Sequence, residues 1–143
     1  MTELRTAADV STRRVPPMQP SPAYGMELAL DLHDCDHTVF TREGLTLFFV
    51  ELCKRIGMER EDLHFWDYEN WPDHKAMAAP HLKGTSAVQF IKTSSIVIHT
   101  LDDLNRVYLN IFSCQEFDAA DAVGFANEFF GAGWCGHHVY ERS

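Results

Sequence analysis

Between Ser86 and Cys114 a hydroxyl, an imidazole and a thiol recur along strand-like sequence. Ser86, Ser94 and Ser95 carry hydroxyls, His99 an imidazole and Cys114 a thiol. Serine supplies a nucleophile, histidine a proton shuttle near neutral pH, and cysteine a proton donor or a thiolate. These residues sit on apolar β-type runs at 86–91, 96–98 and 107–113, with Lys92-Thr93-Ser94-Ser95 between the first two. Their positions allow them to converge. Taken one at a time, each has a plainer role. Ser94-Ser95 is turn sequence, His99 a hydrogen-bonded residue at a strand end, and Cys114 a small buried apolar group.

The elements that must position them follow from periodicity. Met26, Leu28, Leu30 and Leu32 alternate with other residues, the period of a half-buried strand. Thr41-Arg42-Glu43-Gly44 opens a helix on which Leu45, Phe48, Phe49, Leu52, Cys53 and Ile56 recur at helical spacing, and Gly57 stops it. A second strand is expected over 61–66, then a long loop over 71–83 containing Pro72 and Pro80. Three strands follow near 85–92, 95–100 and 106–113, then a helix over 118–130 and a last strand over 137–141. The order β-α-β-β-β-β-α-β has few parallel crossovers. It predicts an α+β fold, a two-layer α/β sandwich with a largely antiparallel sheet and two main helices on one face.

The chain of 143 residues fits one domain. Residues 1–23 are rich in Ser, Thr, Arg and Pro and read as a flexible tail, with the folded domain over 24–143. A formal charge of -9 argues against a nucleic-acid partner, which needs clustered Lys and Arg. No run of ~20 apolar residues suits a membrane helix. Cys35, Cys53, Cys114 and Cys135 form no CxxC pair, so no zinc ribbon or redox motif is suggested. Free thiols in a reducing cytoplasm are the simplest reading. The run Asp31-Leu32-His33-Asp34-Cys35-Asp36-His37 has metal-type donors, but they crowd into one turn; a solvated turn is expected there and no metal. Phe65, Trp66, Tyr68 and Trp71 are candidate pocket aromatics.

The block from Ser86 to Cys114 resembles the bacterial and archaeal S-adenosylmethionine decarboxylase family, made as proenzymes that cut themselves at a serine. The family pattern is a Ser-Gly-hydrophobic strand, then Glu-Ser-His, three residues, His-Thr-Trp-Pro-Glu, and later Asp-x-Phe-Thr-Cys-Gly. The sequence matches this without a gap. Ser94 falls on the self-cleaving serine, His99 on the second histidine, Cys114 on the cysteine and Ser86 on the serine before the glycine. Tyr24-Gly25-Met26-Glu27-Leu28, Cys35-Asp36 and Ile56-Gly57-Met58 extend the likeness. The chain departs from the pattern at Ala87, Thr93, Ser95, Leu101-Asp102-Asp103 and Gln115.

The resemblance implies cleavage between Thr93 and Ser94 and a pyruvoyl cofactor derived from Ser94 itself. Ser94 Oγ would attack the Thr93 carbonyl, with Ser86 as a candidate oxyanion partner, and His99 would take the α-proton of residue 94. The resulting ketone forms a Schiff base with a substrate amine and accepts electrons as carbon dioxide leaves; Cys114 returns a proton. Asp103 stands where the family contacts the ribose, and Phe65 lies where an aromatic stacks on substrate. The expected partners are a small amino-acid-type substrate, S-adenosylmethionine first, and a second copy of the chain in a homodimer. The lost Trp-Pro-Glu leaves arginine or ornithine as alternative substrates. Thr93 and Ser95 leave a non-cleaving regulatory paralogue as the rival class.

Overall fold

A computed structural model describes residues 14–143. Much of the tail expected over 1–23 therefore lies outside the described residues, and 14–24 are exposed and form neither helix nor strand. Six strands follow: β1 (Gly25–His33), β2 (Arg60–Trp66), β3 (Gly84–Ile91), β4 (Ser94–Leu101), β5 (Arg106–Ser113) and β6 (Trp134–Arg142). The helices are α1 (Arg42–Ile56), α2 (Pro72–Met77) and α3 (Ala119–Phe130), with one 3-10 turn at His37–Val39. The strands form one antiparallel sheet in the order β2-β3-β4-β5-β1-β6. The α+β architecture read from periodicity is the one observed.

Strand alternation sends Leu28, Leu30, Leu32, Ile96, Ile98, Val107, Leu109 and Ile111 to one face, where all are buried. Helices α1 and α3 cover that face. Thr41 caps α1, its hydroxyl accepting from the Gly44 N–H at 3.0 Å, and Asp118 caps α3 by accepting from the Asp121 N–H at 3.0 Å. Gly57 and Gly131 end the two helices at φ 70° and 60°, the left-handed region that glycine enters without steric cost. Between the helices Phe48 meets Phe125, Phe129 and Phe130 at ring distances of 4.8–5.7 Å. Truncating such a fully buried aromatic to alanine costs about 3–5 kcal/mol. Neither α1 nor α3 covers the opposite sheet face. Its residues include Val88, Val97, Tyr108 and Phe112, half-buried, with Phe90 and His99 exposed.

Three local expectations change. The 71–83 segment holds the short helix α2, opened by Pro72 at its first position, which a proline fits because its missing N–H would be unpaired there anyway. Strand β6 starts at Trp134 rather than His137, because pairing with β1 carries it on to His33. Strand β4 starts at Ser94, so Lys92 and Thr93 alone make the turn. Gln89, read as part of an apolar run, is fully buried on the helix side. Its amide donates to the carbonyls of Glu61 at 2.9 Å and Asp62 at 3.3 Å and accepts from Arg60 Nε at 2.9 Å. These carbonyls fall where the β2–β3 register shifts between Arg60 and Leu63, so Gln89 satisfies the backbone that the bulge leaves unpaired.

Candidate active site

The β3–β4 hairpin sets the first cluster. Ile91 and Ser94 pair across the turn, so the chain reverses within two residues. Its second residue, Thr93, has φ 51°. Tight turns place glycine or asparagine at such a position, and a β-branched residue there is a genuine outlier costing about 1–3 kcal/mol. Ser94 follows on the helix side of β4, buried at 8% exposure, and its Oγ accepts from the Cys114 N–H at 2.8 Å. The Cys114 thiol lies 3.6 Å from the Lys92 carbonyl. Hydrogen bonds first from Thr93 and then from Ser94 hold this thiol below its ordinary value. Burial pushes Cys35 and Cys53 up to about 11, and it also raises Cys135. Cys114 is thus the thiol poised for chemistry. A cleft of about 570 Å³ opens beside it, lined by Met58, Lys92, Thr93 and Gln115.

The second cluster lies on the uncovered sheet face. Ser86 and His99 are cross-strand partners, and the Ser86 hydroxyl is hydrogen-bonded to His99 Nδ1 at 2.7 Å. A cleft of about 400 Å³ surrounds them, with Trp66, Tyr68, His81 and Tyr108 in its wall. Tyr68 is also left-handed, at φ 62°, and its hydroxyl donates to the Leu82 carbonyl at 3.3 Å. The Arg42 guanidinium braces this loop from α1 through Asp67 at 2.6 Å and Glu69 at 2.7 Å. Two further ion pairs strap the 67–83 segment to the β4–β5 turn, Lys75–Asp102 at 3.1 Å and Lys83–Asp103 at 2.9 Å.

Within one chain the two clusters do not meet. Ser94 and His99 lie on opposite faces of β4, and five residues at ~3.3–3.4 Å each separate them by roughly 17 Å. The expected convergence of Ser94, His99 and Cys114 is therefore corrected: Ser94 joins Cys114, while His99 joins Ser86. Ser86 likewise does not reach the Thr93 carbonyl of its own chain as an oxyanion partner. Asp103 is engaged by Lys83. Phe65 points to the helix side, where the Arg42 guanidinium lies 5.4 Å from its ring, and Trp66 takes the face shared with Ser86 and His99. Thr93 was named from the family pattern, but the wall residues His81 and Tyr108 were not singled out from sequence. No local signal marks them, because each depends on which strands pair.

The crowded turn after β1 is explained by its own contacts. Cys35 is buried, and the Asp36 carboxylate accepts from the Thr38 N–H at 3.0 Å. His37 Nδ1 contacts Asn105 Oδ1 at 3.1 Å, and the His33 ring packs on Trp134 at 4.5 Å.

The sequence model of the S-adenosylmethionine decarboxylase family matches residues 26–143. The chain belongs to the S-adenosylmethionine decarboxylase family. Its fold is similar to the crystal structure of the adenosylmethionine decarboxylase from Aquifex aeolicus VF5, with a TM-score of 0.67 and 16% identity. That likeness covers 86% of this chain and 93% of the other. A search of curated proteins finds no match. Set on the decarboxylase fold, the departures from the family pattern divide between the clusters: Thr93, Ser95 and Gln115 adjoin Ser94 and Cys114, whereas Ala87 follows Ser86 and Leu101-Asp102-Asp103 lie at the rim of the second cleft. Gln115 Nε2 donates to the Met58 sulfur at 3.5 Å, so this departure is packed into the cleft wall. No helix among the described residues is long and apolar enough to cross a membrane.

Proposed function

We propose that the chain is a pyruvoyl-dependent decarboxylase that makes its own cofactor by cutting itself between Thr93 and Ser94. S-adenosylmethionine is the substrate and spermidine synthesis its use. The observation that carries this reading is the Ser94–Cys114 pair set against the strained turn at Thr93. The surroundings fit a group built from residue 94. The hydroxyl adjoins the peptide to be cut, a backbone N–H steadies its oxygen, and a cleft opens on Thr93 and Cys114.

The residues divide the work as follows. Ser94 Oγ bonds to the Thr93 carbonyl carbon, the Thr93–Ser94 C–N bond breaks, and the hydroxyl proton ends on the freed nitrogen. His99 removes the α-proton of residue 94, and the Cβ–O bond breaks to release Thr93 as a carboxylate. Water then displaces ammonia from residue 94. The pyruvoyl group so made supplies an electron sink for the loss of carbon dioxide. Cys114, beside it, gives a proton back to the product carbon. Because His99 and Ser86 lie far from Ser94 in one chain, the site is shared by two copies in a homodimer. Each copy's Ser86–His99 pair serves the other's residue 94.

The wall of the second cleft supports S-adenosylmethionine over arginine or ornithine. Asp67 and Glu69 are held by Arg42, Asp102 by Lys75 and Asp103 by Lys83. Each of these carboxylates already has a cationic partner, and the one buried oxygen among them without a hydrogen bond is Asp102 Oδ1, so a guanidinium or ammonium side chain finds no exposed unpaired carboxylate among them. Trp66, Tyr68 and Tyr108 offer faces that suit a base ring and a sulfonium centre. Carbon dioxide release from carboxyl-labelled substrates tests this. Release from S-adenosylmethionine alone is expected. Release from arginine or ornithine alone would overturn the substrate assignment, and release from none would overturn the enzyme.

A further inference from the structure

We propose that Thr93 is a positioning residue for self-cleavage, its β-branched side chain straining the peptide that Ser94 attacks. The inference rests on the self-cleavage reading and adds the source of its driving force. Thr93 sits at φ 51°, and both flanks keep it there. On one side Ile91 is buried at 3% exposure and paired to Ser94. On the other, Ser94 is buried and its oxygen is held by the Cys114 N–H. The turn cannot relax by sliding either strand. The Thr93 hydroxyl lies 2.8 Å from the Lys92 carbonyl and beside the Cys114 thiol.

Attack by Ser94 removes this constraint. The new bond joins Ser94 Oγ to the Thr93 carbonyl carbon, the C–N bond to Ser94 breaks, and the hydroxyl proton moves to the Ser94 nitrogen. The path from residue 93 to the α-carbon of residue 94 then runs through Oγ and Cβ and is longer. Thr93 can return to negative φ. Strain present in the peptide and absent from the ester favours the ester, the step that an amide otherwise resists. Threonine stands where the family pattern has glutamate, which is unbranched at Cβ. This chain has exchanged an acid for a conformational push.

The test varies residue 93 and follows two readouts. In the full chain, the rate at which two fragments appear should follow Val ≈ Thr > Ala > Gly, with Thr93→Gly about tenfold slower than the parent. Thr93→Val keeps the branch and loses the hydroxyl, so its parent-like rate separates strain from hydrogen bonding. In a Ser94→Ala background, which cannot cut, the melting temperature should rise in the reverse order, highest for Thr93→Gly. A parent that is cut, with Thr93→Gly cut equally fast or giving no gain in melting temperature, overturns the inference and leaves self-cleavage standing. A parent that is never cut overturns both.

Discussion

The hairpin corner and the uncovered face of the sheet solve different problems with similar residue types. At the corner, Ser94 and Cys114 are brought together by a turn that bends the backbone out of its ordinary range. On the face, Ser86 and His99 sit opposite each other on a regular ladder rung. In the proposed function one pair reacts and the other holds a proton in a set direction. Bond-breaking serine chemistry needs a ground state that is already uncomfortable, whereas a proton carrier needs a fixed orientation. Under the proposed function, their placement on opposite faces of β4 means that the site is completed by two chains.

Substitutions test this division, and the largest effect belongs to the corner. Ser94→Ala should leave one uncut chain of full mass with no decarboxylase activity; any fragment starting at residue 94 would break the assignment of the nucleophile. Next comes the face. His99→Ala should slow release of Thr93 by about 10²–10⁴-fold and leave an ester that hydroxylamine cleaves at 93–94. Mixing that variant with Ser94→Ala sharpens the comparison. If two copies share each site, the His99→Ala chain is cut in the mixed dimer, because its partner supplies the imidazole; if it stays uncut, the clusters work in some other pairing.

A smaller effect concerns the thiol. The hydroxyls of Thr93 and Ser94 lower the Cys114 pKa, so its thiolate is present at a pH where an ordinary thiol is still protonated. On a Cys35→Ala/Cys53→Ala/Cys135→Ala/Ser94→Ala background, which stays uncut and keeps the Thr93 hydroxyl beside the thiol, alkylation of Cys114 should show a midpoint below that of a free cysteine. Adding Thr93→Val should move it upward. A midpoint equal to free cysteine in both would remove the electrostatic contrast. Smallest is the strap. Lys75→Ala or Lys83→Ala deletes one half-buried ion pair and should cost about 1 kcal/mol in urea unfolding. Their KM for substrate should rise a few-fold more than kcat falls, since the 67–83 segment walls the second cleft.

Much of the fold was legible because it rests on local periodicity. The leucines of β1, the helical spacing of Leu45 to Ile56 and the caps Thr41 and Gly57 all carry their geometry in sequence. Strand order was not legible, since β1 lies between β5 and β6 through contacts distant along the chain. The short helix α2 was hidden by the two prolines that suggested a loop, although one of them starts it. For the site, residue identities came from the family pattern and their grouping did not. An odd separation of five along a strand puts Ser94 and His99 on opposite faces, a consequence of the two-residue period that becomes usable only once β4 is known to run unbroken from Ser94 to Leu101. The pairing of Ser86 with His99 depends on a turn of two residues, where the polar run Lys92 to Ser95 suggested four.

Intact mass measurement of the native protein bears most directly on the central claim. The account predicts two chains, one ending at Thr93 and one beginning with a pyruvoyl group at position 94, the second of which gains a substrate adduct on reduction with cyanoborohydride. A single unmodified chain ending at Ser143 would contradict it.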